Sequence, residues 1–294
     1  MPGQLPEPGA VFLDHVAHFV AAMDPAAAAL QRCGFRLTPF AVQTNRIDGD
    51  LVPSGTGNCC AMFRRGYVEL LAAISDTPLA RQLNERLTRH VGLHLAAFSS
   101  ADTACEHRRL AAAGFPVLPL VDMRRPAATG NVGDEARFTI ARIAPGTMPE
   151  GRIQFLTHHT ERLVWPEPYL DHPNGALALA ALWVAADDPA EPAERFARFT
   201  GRPARREGEV TTIALHRGSL HIATPEFLDD EFGIVPGPKL PYLAACEIEI
   251  LGPDRLRRHL DTAGLTYRVT AEGVVVPLPA AAGGTLLFRP SMGQ

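Results

Sequence analysis

The chain has no Cys-x-x-Cys pair, and its five cysteines are an odd number with Cys59 and Cys60 adjacent. That pattern supplies neither a disulfide framework nor a zinc knot, and it leaves buried free thiols. Basic runs are missing too. Arg205-Arg206 and Arg257-Arg258 are isolated pairs and the net charge is only -4, so there is no footprint for nucleic acid. The longest apolar stretch, Ala176 to Ala186, has 11 residues, against the roughly 20 that cross a bilayer as a helix. The Pro/Gly-rich start lacks the basic and apolar regions of a signal peptide. The expectation is a soluble, cytoplasmic protein with no membrane partner. Lysine is scarce beside arginine, alanine and proline, as in a GC-rich bacterial genome. GxSxG, P-loop and GxGxxG motifs are absent, which removes support for serine hydrolase, NTPase and Rossmann chemistry.

What is present is length, an ordinary composition and a repeat. The 294 residues, 46% apolar and 20% charged, are enough for two domains with sizeable cores. Four stretches follow one plan: an apolar strand, an Asp, an Ala-rich amphipathic helix, a Gly, then β-rich segments. They begin at Val11, Val91, Ala176 and Tyr242. Asp24, Asp102, Asp188 and Asp254 stand where a helix N-cap belongs. Gly34, Gly114, Gly201 and Gly264 stand where a left-handed helix end belongs. The plan predicts four βαβββ units. An extra helix is predicted over 77–90, and the Pro-rich segments 161–175 and 225–241 separate later units.

Two alignments pick out chemistry. His15 precedes Asp24 by nine residues and His94 precedes Asp102 by eight, so both histidines fall near one place on a first strand. Gly66-Tyr67-Val68-Glu69 aligns with Gly151-Arg152-Ile153-Gln154, which puts Glu69 and Gln154 at one place on a fourth strand. A carboxylate flanked by Val68 and Leu70 costs free energy unless it is paired or metal-bound, and Arg64 or Arg142 is a competing partner. His158 shares a strand face with Gln154 but lies about 13 Å along it, so only one of them completes the set. Cys246 and His221 in the last two units are too few for a second site.

These residues resemble the vicinal oxygen chelate superfamily in its glyoxalase-like branch. LDHV, YVELLA, GLHLAAF and RIQFL look like the stretches that carry its metal ligands on first and fourth strands. The resemblance implies an α+β fold of four βαβββ modules paired into two cupped mixed β-sheets with flanking helices. It implies a glyoxalase-like domain over 1–160 (modules 11–75 and 91–160), a linker over 161–175 and a second, degenerate pair of modules over 176–294. The implied ligands are His15, Glu69, His94 and Gln154 around one divalent ion (Fe, Mn, Ni, Co or Zn), with Glu69 also catalytic. His158, Asn58 and Arg137 are the candidate substrate contacts. The implied activity is lyase or isomerase chemistry on a small molecule with vicinal oxygens, through a metal-stabilised enediolate. The alternatives are a non-haem Fe(II) dioxygenase and a non-catalytic binding or resistance protein. The chain would act as a monomer or homodimer.

Overall fold

Each apolar first strand is flanked by a helix that buries its alanine- and leucine-rich stripe against the sheet. The computed structural model describes residues 3–129, 131, 133–235, 237 and 239–291. Unit one is β1 (Phe12–Phe19), α1 (Met23–Arg32), β2 (Ala41–Ile47), β3 (Asp50–Met62) and β4 (Tyr67–Ala73). After α2 (Pro78–Leu87), unit two is β5 (Gly92–Ser99), α3 (Thr103–Ala112), β6 (Val121–Pro126), β7 (Glu135–Arg142) and β8 (Arg152–His158). A short helix α4 (Glu161–Val164) and a single 3₁₀ turn lead to unit three: β9 (Ala176–Ala185), α5 (Ala190–Thr200), β10 (Ala204–Glu207), β11 (Val210–Ala214) and β12 (Ser219–Ala223). Helix α6 (Pro225–Phe232) precedes unit four: β13 (Tyr242–Ile250), α7 (Pro253–Thr262), β14 (Arg268–Val269), β15 (Val274–Pro277) and β16 (Thr285–Pro290). The four-unit α+β plan and the extra helix after unit one are thus observed.

Units one and two close into an eight-stranded barrel in the order β1-β4-β3-β2-β6-β7-β8-β5. Units three and four form an open eight-stranded sheet, β10-β11-β12-β9-β13-β16-β15-β14. Closure comes from β2 pairing antiparallel with β6, Thr44 opposite Arg124. The barrel interior holds Ala17, Phe19, Leu71, Leu95, Phe138 and Leu156 among others. Its outer face and the facing sheet share one larger core that runs from Leu13 and Val16 through Leu179 and Leu182 to Phe288. The segment 161–175 is packed into this assembly. Trp165 lies against Tyr67 and His158, and His172 bonds the Met62 carbonyl and the Arg36 amide.

Caps differ in detail from the sequence reading. Asp102 accepts from the Cys105 amide as expected. Asp24 and Asp254 sit inside the first turn, behind Ala22 and Gly252 at the cap positions. An acid is also favourable inside the first turn, next to the positive end of the helix dipole, so spacing to an Asp locates a helix start only to within two residues.

One irregularity recurs in every first strand. The pairing of β1 with β5 skips Asp14 on one side and His94 on the other. The pairing of β9 with β13 skips Ala180 and Ala244 in the same way, and Leu177 besides. Each is a β-bulge, one extra residue that the ladder leaves unpaired. Glycines press on these bulges: a Cβ at Gly66 would lie 2.7 Å from the Asp14 carbonyl oxygen, and one at Gly151 would lie 2.4 Å from that of His94. The close approach explains why a glycine leads these two fourth strands.

Candidate metal and substrate pocket

The bulge decides which side chains meet. Fourth strands give the ruler: His15 pairs with Tyr67, and Leu95 pairs with Arg152. Tyr67 and Arg152 are the residues that follow Gly66 and Gly151, so His15 and Leu95 are equivalent, whereas His94 is equivalent to Asp14. A one-residue offset on a strand sends a side chain elsewhere. His15, Glu69 and Gln154 line one buried pocket with Leu95, Gln43, Asn58, Tyr67, Arg125, Arg142 and Arg152.

His94 does not join them. It is fully buried, its Nε2 is 2.8 Å from the His90 carbonyl, and its ring stacks on His90 at 4.0 Å. Burial, with His90 adding to it, pushes its pKa down to about 3. The ligand set implied by the resemblance is therefore not assembled in full, and an apolar Leu95 holds the place of its second imidazole. Arg137 also misses the pocket. It is exposed on the outside of β7, where alternation turns Phe138 and Ile140 inward. His158 faces inward as expected, but it stands behind the pocket and not at its rim.

What His158 does there involves Asp14, which sequence reasoning passed over. The Asp14 carboxylate is fully buried and accepts from both rings: His15 Nδ1 at 2.8 Å and His158 Nε2 at 2.8 Å. Burial works to raise its pKa, but the charge of His158 and the hydrogen bonds from both rings outweigh burial and hold the carboxyl well below its usual range. Because a carboxylate only accepts, His15 carries its proton on Nδ1 and offers the Nε2 lone pair to the pocket. The ring is further fixed by stacking on Tyr67, centroids 4.3 Å apart. Glu69 Oε1 accepts from Gln43 Nε2 at 3.2 Å and from Asn58 Nδ2. Gln43 is itself oriented by Thr56, whose hydroxyl donates to its Oε1 at 2.7 Å. Glu69 Oε2 stays free and stands 3.9 Å from His15 Nε2. Gln154 Oε1 is buried with no hydrogen-bond partner. Asn58, chosen from the sequence for its location, does line the pocket.

An imidazole, a carboxylate oxygen and an unpartnered amide oxygen suit a borderline divalent ion. The carboxylate behind His15 is the arrangement that orients a metal-bound histidine. Among the described residues no three His, Cys, Asp or Glu side chains cluster to hold an ion, so any ion here depends on the amide of Gln154 as its third protein donor. The remaining charged groups that line the pocket, Arg125, Arg142 and Arg152, are all cations.

Comparisons with known proteins agree with this architecture. No curated protein matches the chain. Solved structures do, at low identity. A hypothetical protein from Staphylococcus aureus aligns with a TM-score of 0.64 at 12% identity, covering 95% of this chain and 99% of that one. A mutant 4-hydroxymandelate synthase from Streptomyces coelicolor aligns with 0.56 at 16% identity, covering 97% and 92%. An Mn(II)-bound glyoxalase from Novosphingobium aromaticivorans aligns with 0.55 at 12% identity, covering 97% and 83%. These likenesses establish the fold. The sequence profile of the glyoxalase-like domain matches residues 13–200, most of the chain. On that match, and with a barrel built from two βαβββ units, the chain belongs to the glyoxalase-like domain family of the vicinal oxygen chelate superfamily.

Proposed function

We propose that the chain is a metal-assisted lyase or isomerase acting on a small molecule with adjacent oxygens, with its centre at His15, Glu69 and Gln154. The observation that carries this reading is the convergence of three donor atoms, His15 Nε2, Glu69 Oε2 and the unpartnered Gln154 Oε1, on one buried pocket. These three atoms are the ones that would hold the ion, which when bound supplies Lewis-acid polarisation of substrate oxygens.

The rest is done by the chain itself. Asp14 holds His15 in the tautomer that leaves Nε2 free. Gln43 and Asn58 occupy Glu69 Oε1 and leave Oε2 turned to the pocket as the oxygen that would hold the ion. The apolar walls Leu71, Leu95, Phe138 and Leu156 exclude water, which strengthens each of these interactions. An iron dioxygenase reading asks for two imidazoles and a carboxylate on open positions. Among the described residues His15 alone offers an imidazole to this pocket, which favours the lyase or isomerase. A binding protein without turnover is the second reading, favoured by Leu95 at the place of the other imidazole.

Metal content of chelator-free protein separates the two. The expected result is near-stoichiometric Fe, Mn, Ni, Co or Zn in the wild type and in His94→Ala, and its loss in His15→Ala and Glu69→Ala. A wild type that takes up no ion after reconstitution sinks the metal-assisted reading and leaves the binding protein.

A further inference from the structure

The inner pocket is small, about 30 Å³. It has room for an ion or a few reacting atoms and for little else. A second cavity of about 500 Å³ adjoins it, and Arg142 and Arg152 line both. This outer bowl also presents Arg86, Arg89 and the chain's single lysine, Lys239, against one acid, Glu85.

The two shared arginines are half-buried and have no counter-charge among the described residues. Arg142 Nε is buried with no acceptor. Neither guanidinium forms a side-chain hydrogen bond or ion pair among the described residues. Arg152 instead stacks over Phe19 at 5.2 Å. Arg195, by contrast, makes a two-pronged pair with Glu150, 2.8 Å at each contact. An unpaired buried charge is costly, and an anion placed between the two forks would repay that cost.

We infer that the bowl is a binding site for an oxyanion group of the substrate, a carboxylate or a phosphate, held by Arg142 and Arg152 at the mouth of the inner pocket, with Arg86, Arg89 and Lys239 drawing it in. That the anion belongs to the substrate rests on the inner pocket being the reaction centre. Anion binding itself does not, and it can be measured on metal-free protein.

The test is calorimetric titration and thermal shift of metal-free protein with inorganic phosphate and, separately, with malonate, at ionic strength fixed by sodium chloride. Saturable binding of one anion in preference to the other names the group. Arg142→Gln and Arg152→Gln are expected to weaken that binding about tenfold or more, the scale of a lost charge-assisted pair. They are also expected to melt no lower than wild type without anion, because each removes a half-buried charge that has no partner. His15→Ala and the outward-facing Arg137→Gln should bind the anion as wild type does. If neither anion competes with chloride, or both glutamine variants bind it undiminished, the proposal is overturned. Loss of metal in His15→Ala with anion binding intact would separate failure of this site from failure of the reaction centre.

Discussion

The two halves of the chain repeat one plan, yet the first closes around a polar pocket and the second stays an open sheet. The registers give the correspondence. Ser219 pairs with Ala181 and Thr285 pairs with Ala245, as Tyr67 pairs with His15. The places of His15, Leu95, Glu69 and Gln154 are therefore taken in the second half by Ala181, Ala245, His221 and Leu287. The space above that sheet is filled by Trp183, Phe232, Leu228 and Tyr242, with α6 lying across it. Its outer strands are short, four residues in β10 and two in β14, and they do not pair across to close the sheet. In the first half the 13-residue β3 and the seven-residue β2 reach far enough for β2 to meet β6. Strand length decides whether the same unit makes a vessel or a wall.

That contrast can be broken at several points. The largest effect is expected from Asp14→Ala, which strands two buried imidazoles. The expected loss is about 3–5 kcal/mol in urea unfolding, the scale for removing one member of a buried ionic cluster. The milder Asp14→Asn should keep the fold and cost about 10–100-fold in metal affinity, read by competition with a chelating dye. The alanines at the equivalent bulges, Ala180 and Ala244, carry no such burden.

Next is a gain of function. Leu95→His should tighten metal binding in the same dye assay, because it restores an imidazole at the inward place. Ala245→His, its match in the open sheet, should not create a site, because the neighbouring carboxylate, Glu247, is already engaged by Arg289 and Trp183. Equal metal uptake by both variants would contradict the equivalence drawn from the registers.

Acid should unfold the protein through both halves. Burial holds His18 and His221 down to about 4 and His94 to about 3, whereas in the unfolded chain they titrate near 6.5. As pH falls below about 6.5 the unfolded chain binds protons that the folded one refuses, so stability declines until each folded pKa is passed. Each group contributes a slope of about 1.4 kcal/mol per pH unit in that window. Asp14 adds to the loss only below its ordinary value of 3.8, where the unfolded chain takes a proton and the folded carboxylate does not. Urea midpoints from pH 8 to pH 4 should fall less steeply in His221→Gln, by one proton. The smallest effect is expected from His94→Ala on metal content, which should be nil; a loss there would restore His94 to the site.

Much of this was legible in the sequence. The repeat, the α+β class and three inward polar residues follow from apolar periodicity and the leading glycines. The error at His94 has a definite source. Counting from Asp24 and Asp102 treats both as caps, but only Asp102 is one. Gly34 and Gly114, 80 residues apart, are both left-handed helix ends, and from them His15 matches Leu95. Asp14 was in view beside His15, but a bulge leaves no mark in a pattern of alternation. The arginine-lined bowl draws on α2, β7, β8 and the stretch before β13, and no local motif joins segments so far apart.

A bulged residue is also a spare letter. It is counted in the chain but not in the ladder, so its identity can change while every paired residue keeps its face. The four units spell that letter Asp, His, Ala and Ala. The fold thus carries four addresses, each one step behind an inward-facing position, where a designer could write an acid, a base or nothing without rewriting the strand around it.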